Sequence, residues 1–123
     1  MRRTATLVLL ATLFGCGDHS THRPQPNLIE AASWSHPDAG YRLHVRPTLA
    51  GRLSTATRTG TALTESLRES GPAPLVLSPA QRNSLVNQLR WHAAFAPHKP
   101  VWNLETWRPD VGYGRTVLHL CNP

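Results

Sequence analysis

An α+β domain, with a small, mostly antiparallel sheet and two helices packed on one face, is what the residue pattern predicts. Three features point to it. Tyr41, Leu43 and Val45 alternate with Arg42, His44 and Arg46, the period of a half-buried strand. Ser78-Pro79-Ala80-Gln81 opens a long amphipathic helix: serine caps, proline sits in the first turn, and glutamine completes a capping box. Residues 115–121 alternate again. Val117, His119 and Cys121 point one way, Thr116, Leu118 and Leu120 the other, and Leu118 and Leu120 are expected to face the core.

Residues 1–15 read as an export leader. Arg2 and Arg3 form a positive start, and residues 4–14 are an apolar run too short to span a bilayer as a permanent anchor. The run ends Leu13-Phe14-Gly15-Cys16, which looks like a bacterial lipobox with Cys16 as the residue to be acylated. Acylation on more than one chain gives stable anchoring. Ordinary signal-peptide cleavage is the alternative, and it leaves Cys16 free or able to bridge to Cys121. Residues 16–33 then serve as a tether, rich in proline and polar groups. His19 and His22 lie in it, but two histidines without further ligands do not make a metal site. Within the tether, the stretch 27–34 reads as a short helix without a strong cap.

The folded domain is expected over residues 34–123, enough for one small unit. Ser35 to Gly40 forms a turn ahead of the 41–47 strand, and Pro47 ends that strand or puts it at an edge. The outer face of the strand is basic. It reads either as a solvated surface or as a cationic face that meets a phosphate or carboxylate of an envelope polymer. A helix is expected over 55–70, with Leu63 and Leu67 on its apolar side and Gly71-Pro72 as the stop. The helix that begins at Ser78 should run to Ala96, before Pro97. Its apolar side carries Leu85, Val86, Leu89, His92, Ala93 and Ala96.

The C-terminal stretch from Lys99 holds Trp102, Trp107 and Tyr113 beside Glu105 and Asp110. Bulky groups at 102, 104 and 107 give an extended segment with a bend, and Pro109-Asp110 a turn. Glu105 and Arg108, set between two indoles, have two readings. The indoles are core and the charges bridge to other segments, or the indoles line a groove and the charges orient a ligand.

This stretch also resembles a known family. The wording W-N-L-E-x-W-R-P-x-V-G-Y at 102–113, with Cys121-Asn122-Pro123 at the end, is similar to the C-terminal signature of the bacterial exported proteins of domain-of-unknown-function family 2599. Leu43-His44-Val45-Arg46-Pro47-Thr48, followed by Gly51-Arg52, is similar to a second motif of that family. The resemblance implies no activity. It does imply a cysteine just before the helix histidine, a partner for the C-terminal cysteine. Here that place is Trp91, so no disulfide carries over to Cys121.

The thirteen Lys and Arg against seven Asp and Glu are spread along the chain, and Arg2 and Arg3 account for two of the six net positive charges. Without a basic run, no nucleic-acid partner is predicted. No zinc-protease, serine-hydrolase or phosphate-loop motif is present, and no cofactor or metal is predicted. The expectation is an exported, membrane-anchored binding or structural module using Arg42, Arg46, Arg52, Trp102, Trp107 and Arg108. The alternatives are a small envelope hydrolase using His92 with Glu105 or Asp110, and an accessory or inhibitory partner of another exported protein.

Overall fold

The computed structural model describes residues 23–123. The leader, the lipobox with Cys16, and His19 and His22 lie outside the described residues. Three strands form one antiparallel sheet, in the order β1 (Ile29–Ser35), β2 (Arg42–Pro47), β3 (Trp102–Glu105). The helices are α1 (Leu49–Ser54), α2 (Thr59–Glu69), α3 (Pro79–Phe95) and α4 (Tyr113–Leu118).

The central strand β2 realises the alternation read from its sequence. Leu43 and Val45 are fully buried, while Arg42, His44 and Arg46 face the other side. Pro47 closes the strand opposite Ile29. Helices α2 and α3 cover the Leu43 side. Ala62 and Leu63 of α2 and Leu85, Leu89 and Ala93 of α3 pack with Ile29, Leu43, Val45, Trp102 and Leu104. Each leucine-sized side chain buried there contributes about 2 kcal/mol.

The stretch 27–34 does not form the expected helix; Ile29–Ser35 is a strand. Its apolar residues at 28, 29, 31 and 32 mimic a helical period because the strand carries a bulge between Ile29 and Ala31. Beyond the bulge Ala32 and Trp34 pair with Val45 and Leu43 and turn to the core side. Pairing with β2 outweighs the helix preference of the alanines. Residues 29–33, read as tether, therefore belong to β1. The strand's entry is fixed by Glu65 of α2, whose Oε2 accepts from the amides of Leu28 (2.7 Å) and Ile29 (3.1 Å).

Helix α1 is an element that the alternation of β2 does not announce. Thr48 caps it by accepting from the Gly51 amide at 3.0 Å, and also donates to Asn27 O at 2.7 Å. The expected 55–70 helix starts later, at Thr59, because Thr55 ends α1. Gly71 follows it at φ +73°, as the stop signal required. The capping box of α3 is complete: Ser78 Oγ accepts from Gln81 N at 3.1 Å, and Gln81 Oε1 from Ser78 N at 2.9 Å.

Strand β3 lies at the edge of the sheet, and α3 satisfies that edge with side chains, Gln88 first among them and His92 at Asn103 O. Gln88, 1% exposed, accepts from Glu105 N (2.8 Å) and donates to Glu105 O (2.9 Å), as a neighbouring strand would. Ser84 Oγ extends the contact by donating to Arg108 O at 2.7 Å.

The alternation at 115–121 does not make a strand, because no sheet edge is open beside β3 for it. Residues Tyr113–Leu118 are helical, and the chain ends in a tight reversal. Leu120 N bonds to Val117 O (3.1 Å) and Cys121 N to Thr116 O (2.8 Å), with Leu120 at φ 52° and Cys121 at φ 63°. These are the two bonds of a Schellman ending, made here without glycine. Thr116 and Cys121 are buried, while Leu118 and Leu120 are 80% and 75% exposed. Both leucines thus face away from the core, against expectation.

Three outcomes follow for stability. A Cβ at Gly51 would lie 1.9 Å from Leu28 O, whereas one at Gly60 meets nothing within 4 Å. Chemical denaturation should therefore show Gly51→Ala destabilised by about 3 kcal/mol and Gly60→Ala stabilised by about 0.5 kcal/mol. Gln88→Leu keeps bulk but strips both partners from Glu105, and should lower stability by roughly 2–4 kcal/mol in the same measurement.

Candidate functional site

The helices leave the other face of the sheet uncovered. Cross-strand register puts Ala31, Ser33 and Ser35 of β1 beside Arg46, His44 and Arg42 of β2, and Asn103 and Glu105 of β3 beside His44 and Arg42. Two polar rows cross the strands. In the first, Ser35 Oγ lies 2.7 Å from His44 Nε2, and His44 Nδ1 lies 2.7 Å from Asn103 Oδ1. In the second, Arg42 donates to Glu105 Oε1 through Nε (3.2 Å) and Nη2 (2.8 Å), while Arg108 Nε donates to Glu105 Oε2.

Beyond the second row lies a cleft of about 270 Å³ lined by His92, Lys99, Asn103, Glu105, Arg108 and Cys121, among others. The α4 reversal carries Cys121 into this wall. His92 donates from Nε2 to Asn103 O at 3.2 Å, which makes Nδ1 its lone-pair nitrogen; that atom is buried and has no partner among the described residues. Burial pushes the imidazole down to about 4, with Lys99 and Arg108 adding to the effect, so His92 is neutral at physiological pH. Burial also pushes the Cys121 thiol up to about 11, so it is not an activated nucleophile. Arg108 Nη1 is also buried without a partner among the described residues.

The cleft gathers some of the sequence candidates and separates others. His92, Glu105 and Arg108 meet in it, and Arg42 joins through Glu105. Asp110 stands apart, accepting from Asn83 (3.2 Å) and Asn87 (3.3 Å) on α3. No hydrogen bond joins His92 to Glu105 or Asp110 among the described residues, and both Glu105 oxygens are held by arginines. Trp102 is 0% exposed, with its indole N–H on Ala96 O at 3.2 Å and its ring stacked on His92. Trp107 is half-buried over Gly40 and lies 5.5 Å from the Arg42 guanidinium. Arg46 is exposed on the uncovered face, beside a groove of about 250 Å³ shared with Ala31, Ala32, Ser33, His44 and Val101. Arg52 holds the carbonyls of Pro97 and Lys99 (2.7 Å for Lys99) and so shapes the loop that presents Lys99.

Among the described residues no group of three or more His, Cys, Asp or Glu is arranged to hold a metal ion. What the arrangement does offer is positive charge: Arg42, Arg108 and Lys99 surround the single carboxylate of Glu105. Lys99, Asn103 and Cys121 escaped the sequence reading as site residues, since only the packing of α3, β3 and the C-terminal reversal brings them together. The Ser35–His44–Asn103 row escaped it as well, because it depends on the register of three strands.

The depressed His92 has a measurable consequence. Its folded value lies below the ordinary 6.5, so the unfolded chain takes up the proton first as pH falls. Stability should drop between about pH 6.5 and about pH 4. Thermal melts of His92→Gln should lose less over that window than those of the unaltered protein.

The profile of a family described as "Protein of unknown function (DUF2599)" matches residues 29–123, beginning at the first residue of β1. Uncharacterized protein Rv0477 of Mycobacterium tuberculosis is 31% identical over 116 residues, covering 89% of this chain and 76% of its own. Uncharacterized protein Mb0487 of Mycobacterium bovis is similar to the same extent, with 31% identity over 116 residues. No solved structure matches. The motifs at 43–52 and 102–123 fall on β2 with α1 and on β3 with α4, the elements that carry the polar rows and the cleft. With the match spanning every described strand and helix, the chain belongs to the DUF2599 family.

Proposed function

We propose that this chain is an exported lipoprotein, anchored through an acylated Cys16, whose uncovered sheet face and adjoining cleft bind an anionic polymer of the cell envelope. The binding half rests on one observation. Arg42, Arg46, Lys99 and Arg108 lie on the uncovered face and in its adjoining cleft, with Glu105 as the single acidic group among them, and Glu105 is shared by two of the arginines. Arg46 is exposed and makes no ion pair among the described residues. A carboxylate or phosphate supplies the acceptor that its guanidinium lacks. Trp107, held beside Arg42, gives the face a flat apolar edge on which a polymer unit can rest. Trp102 belongs to the core and Arg52 to the loop behind the cleft, so neither is part of the contact surface.

The anchoring half rests on Leu13-Phe14-Gly15-Cys16 at the end of the apolar leader. A tether that ends at β1 holds the sheet face off the bilayer, within reach of the surrounding polymer.

Mass analysis of the mature N-terminus tests the anchor: a diacylglyceryl Cys16 is the expected species, and a bare thiol there rejects it. Retention of the mature protein on a polyglutamate or polyphosphate matrix tests the face. Each exposed cation contributes about 1 kcal/mol, so the Arg46→Ala/Lys99→Ala pair should bind about 30-fold more weakly. Retention should fall as salt rises. Binding that ignores both salt and the paired substitution overturns the reading.

A further inference from the structure

We propose that Ser35, His44 and Asn103 form a hydrolytic relay on the uncovered face of the sheet, with Ser35 as the nucleophile toward a short-chain carboxylic ester. The inference is independent of anion binding, because neither the lipid anchor nor a polymer enters the step. It rests on three side chains, 9 and 59 residues apart in sequence along the row, that the strand register brings into line.

In the neutral ring the hydrogen bonds select one tautomer. Asn103 Oδ1 can only accept, so His44 Nδ1 carries the hydrogen and donates to it at 2.7 Å. That leaves Nε2 as the lone-pair nitrogen, and it faces the Ser35 hydroxyl at 2.7 Å. A nucleophile within hydrogen-bond reach of a base, and a base oriented by a third group, is the arrangement that activates serine on unrelated folds. All three residues sit on paired strands, His44 at the centre of the sheet, so the geometry is held by backbone rather than by a loop. Ser35 and His44 are half-buried and Asn103 is exposed, so a substrate can reach the hydroxyl.

A charged residue and a small groove neighbour the row. Arg42 pairs directly with Ser35 across β1 and β2. Glu105 occupies its Nε and Nη2, and Nη1 makes no hydrogen bond among the described residues. The guanidinium is thus turned toward Glu105 on β3. The groove of about 250 Å³ next to His44 has Ala31, Ala32, Ser33 and Val101 in its walls and Arg46 at its rim. Small walls suit a short acyl group.

In the step, Ser35 Oγ bonds to the ester carbonyl carbon as its proton passes to His44 Nε2. The carbonyl electron pair moves onto oxygen. Collapse of the adduct breaks the bond to the alcohol oxygen, and the alcohol leaves with the proton from Nε2. Water then gives a proton to Nε2, adds to the acyl carbon and displaces Ser35, which recovers that proton. The net change is ester plus water to acid plus alcohol. Asn103 acts through His44 as a positioning residue and does not touch the reacting atoms.

The test uses the mature protein with a fluorophosphonate probe and p-nitrophenyl acetate. Peptide mapping should find the probe on Ser35, and the ester should give a burst of about one product per chain before slower turnover. Labelling should vanish in Ser35→Ala and slow by about 100-fold or more in His44→Ala. Asn103→Asp should retain labelling with the acid limb of its pH profile moved upward, since a carboxylate favours the charged imidazole. Asn103→Leu should slow it. No label on the unaltered protein, label on another residue, or unchanged labelling in His44→Ala overturns the proposal. Mapping on the unaltered chain decides the matter even where a variant fails to fold.

Discussion

One glutamine amide, inserted between the two backbone groups of Glu105, determines much of the structure around it. Strand β3 has β2 on one side only, and its other edge would expose unpaired N–H and C=O groups. Gln88 meets both from the buried face of α3. The contact ties helix to sheet at one register, and leaves no vacant edge beside β3 for the C-terminal segment to join. A helix and reversal at the end of the chain are the result. Because Glu105 is held through its backbone, its carboxylate is held too, and the two arginines that share it are fixed in turn.

The uncovered face therefore owes its order to the covered one. Arg42 and His44 are carried by β2, whose alternate residues Leu43 and Val45 are locked in the core. Asn103 stands between Trp102 and Leu104, both fully buried, and Glu105 follows Leu104. Every polar residue of the two rows on β2 and β3 is thus flanked in sequence by a core residue. The rows keep their spacing because the strands cannot slide without exposing that core.

How much of this was legible in the sequence depends on how local the signal was. Strand β2 and helix α3 declared themselves, the one by clean alternation and the other by a complete capping box, since both signals act within a few residues. Strand β1 did not, because its bulge shifts the phase of its apolar residues and only the partner strand reveals the shift. Helix α4 did not, because a helix of six residues carries little periodicity and its reversal uses leucine and cysteine at positive φ where glycine is the usual marker. His92, Glu105 and Arg108 could be picked out as candidates by residue type and placement. That Asp110 stands apart from them, and that Ser35 meets His44, follows only from how the elements pack.

The burial of Cys121 bears on how the chain fares around other thiols. Burial pushes its sulfhydryl up to about 11, so the thiolate is scarce at neutral pH. Exchange with a mixed-disulfide carrier or with glutathione needs that anion, and needs it reachable. A lone sulfur stored under the terminal reversal is thereby spared from scrambling, and copies of the folded chain are kept from becoming covalently cross-linked through it.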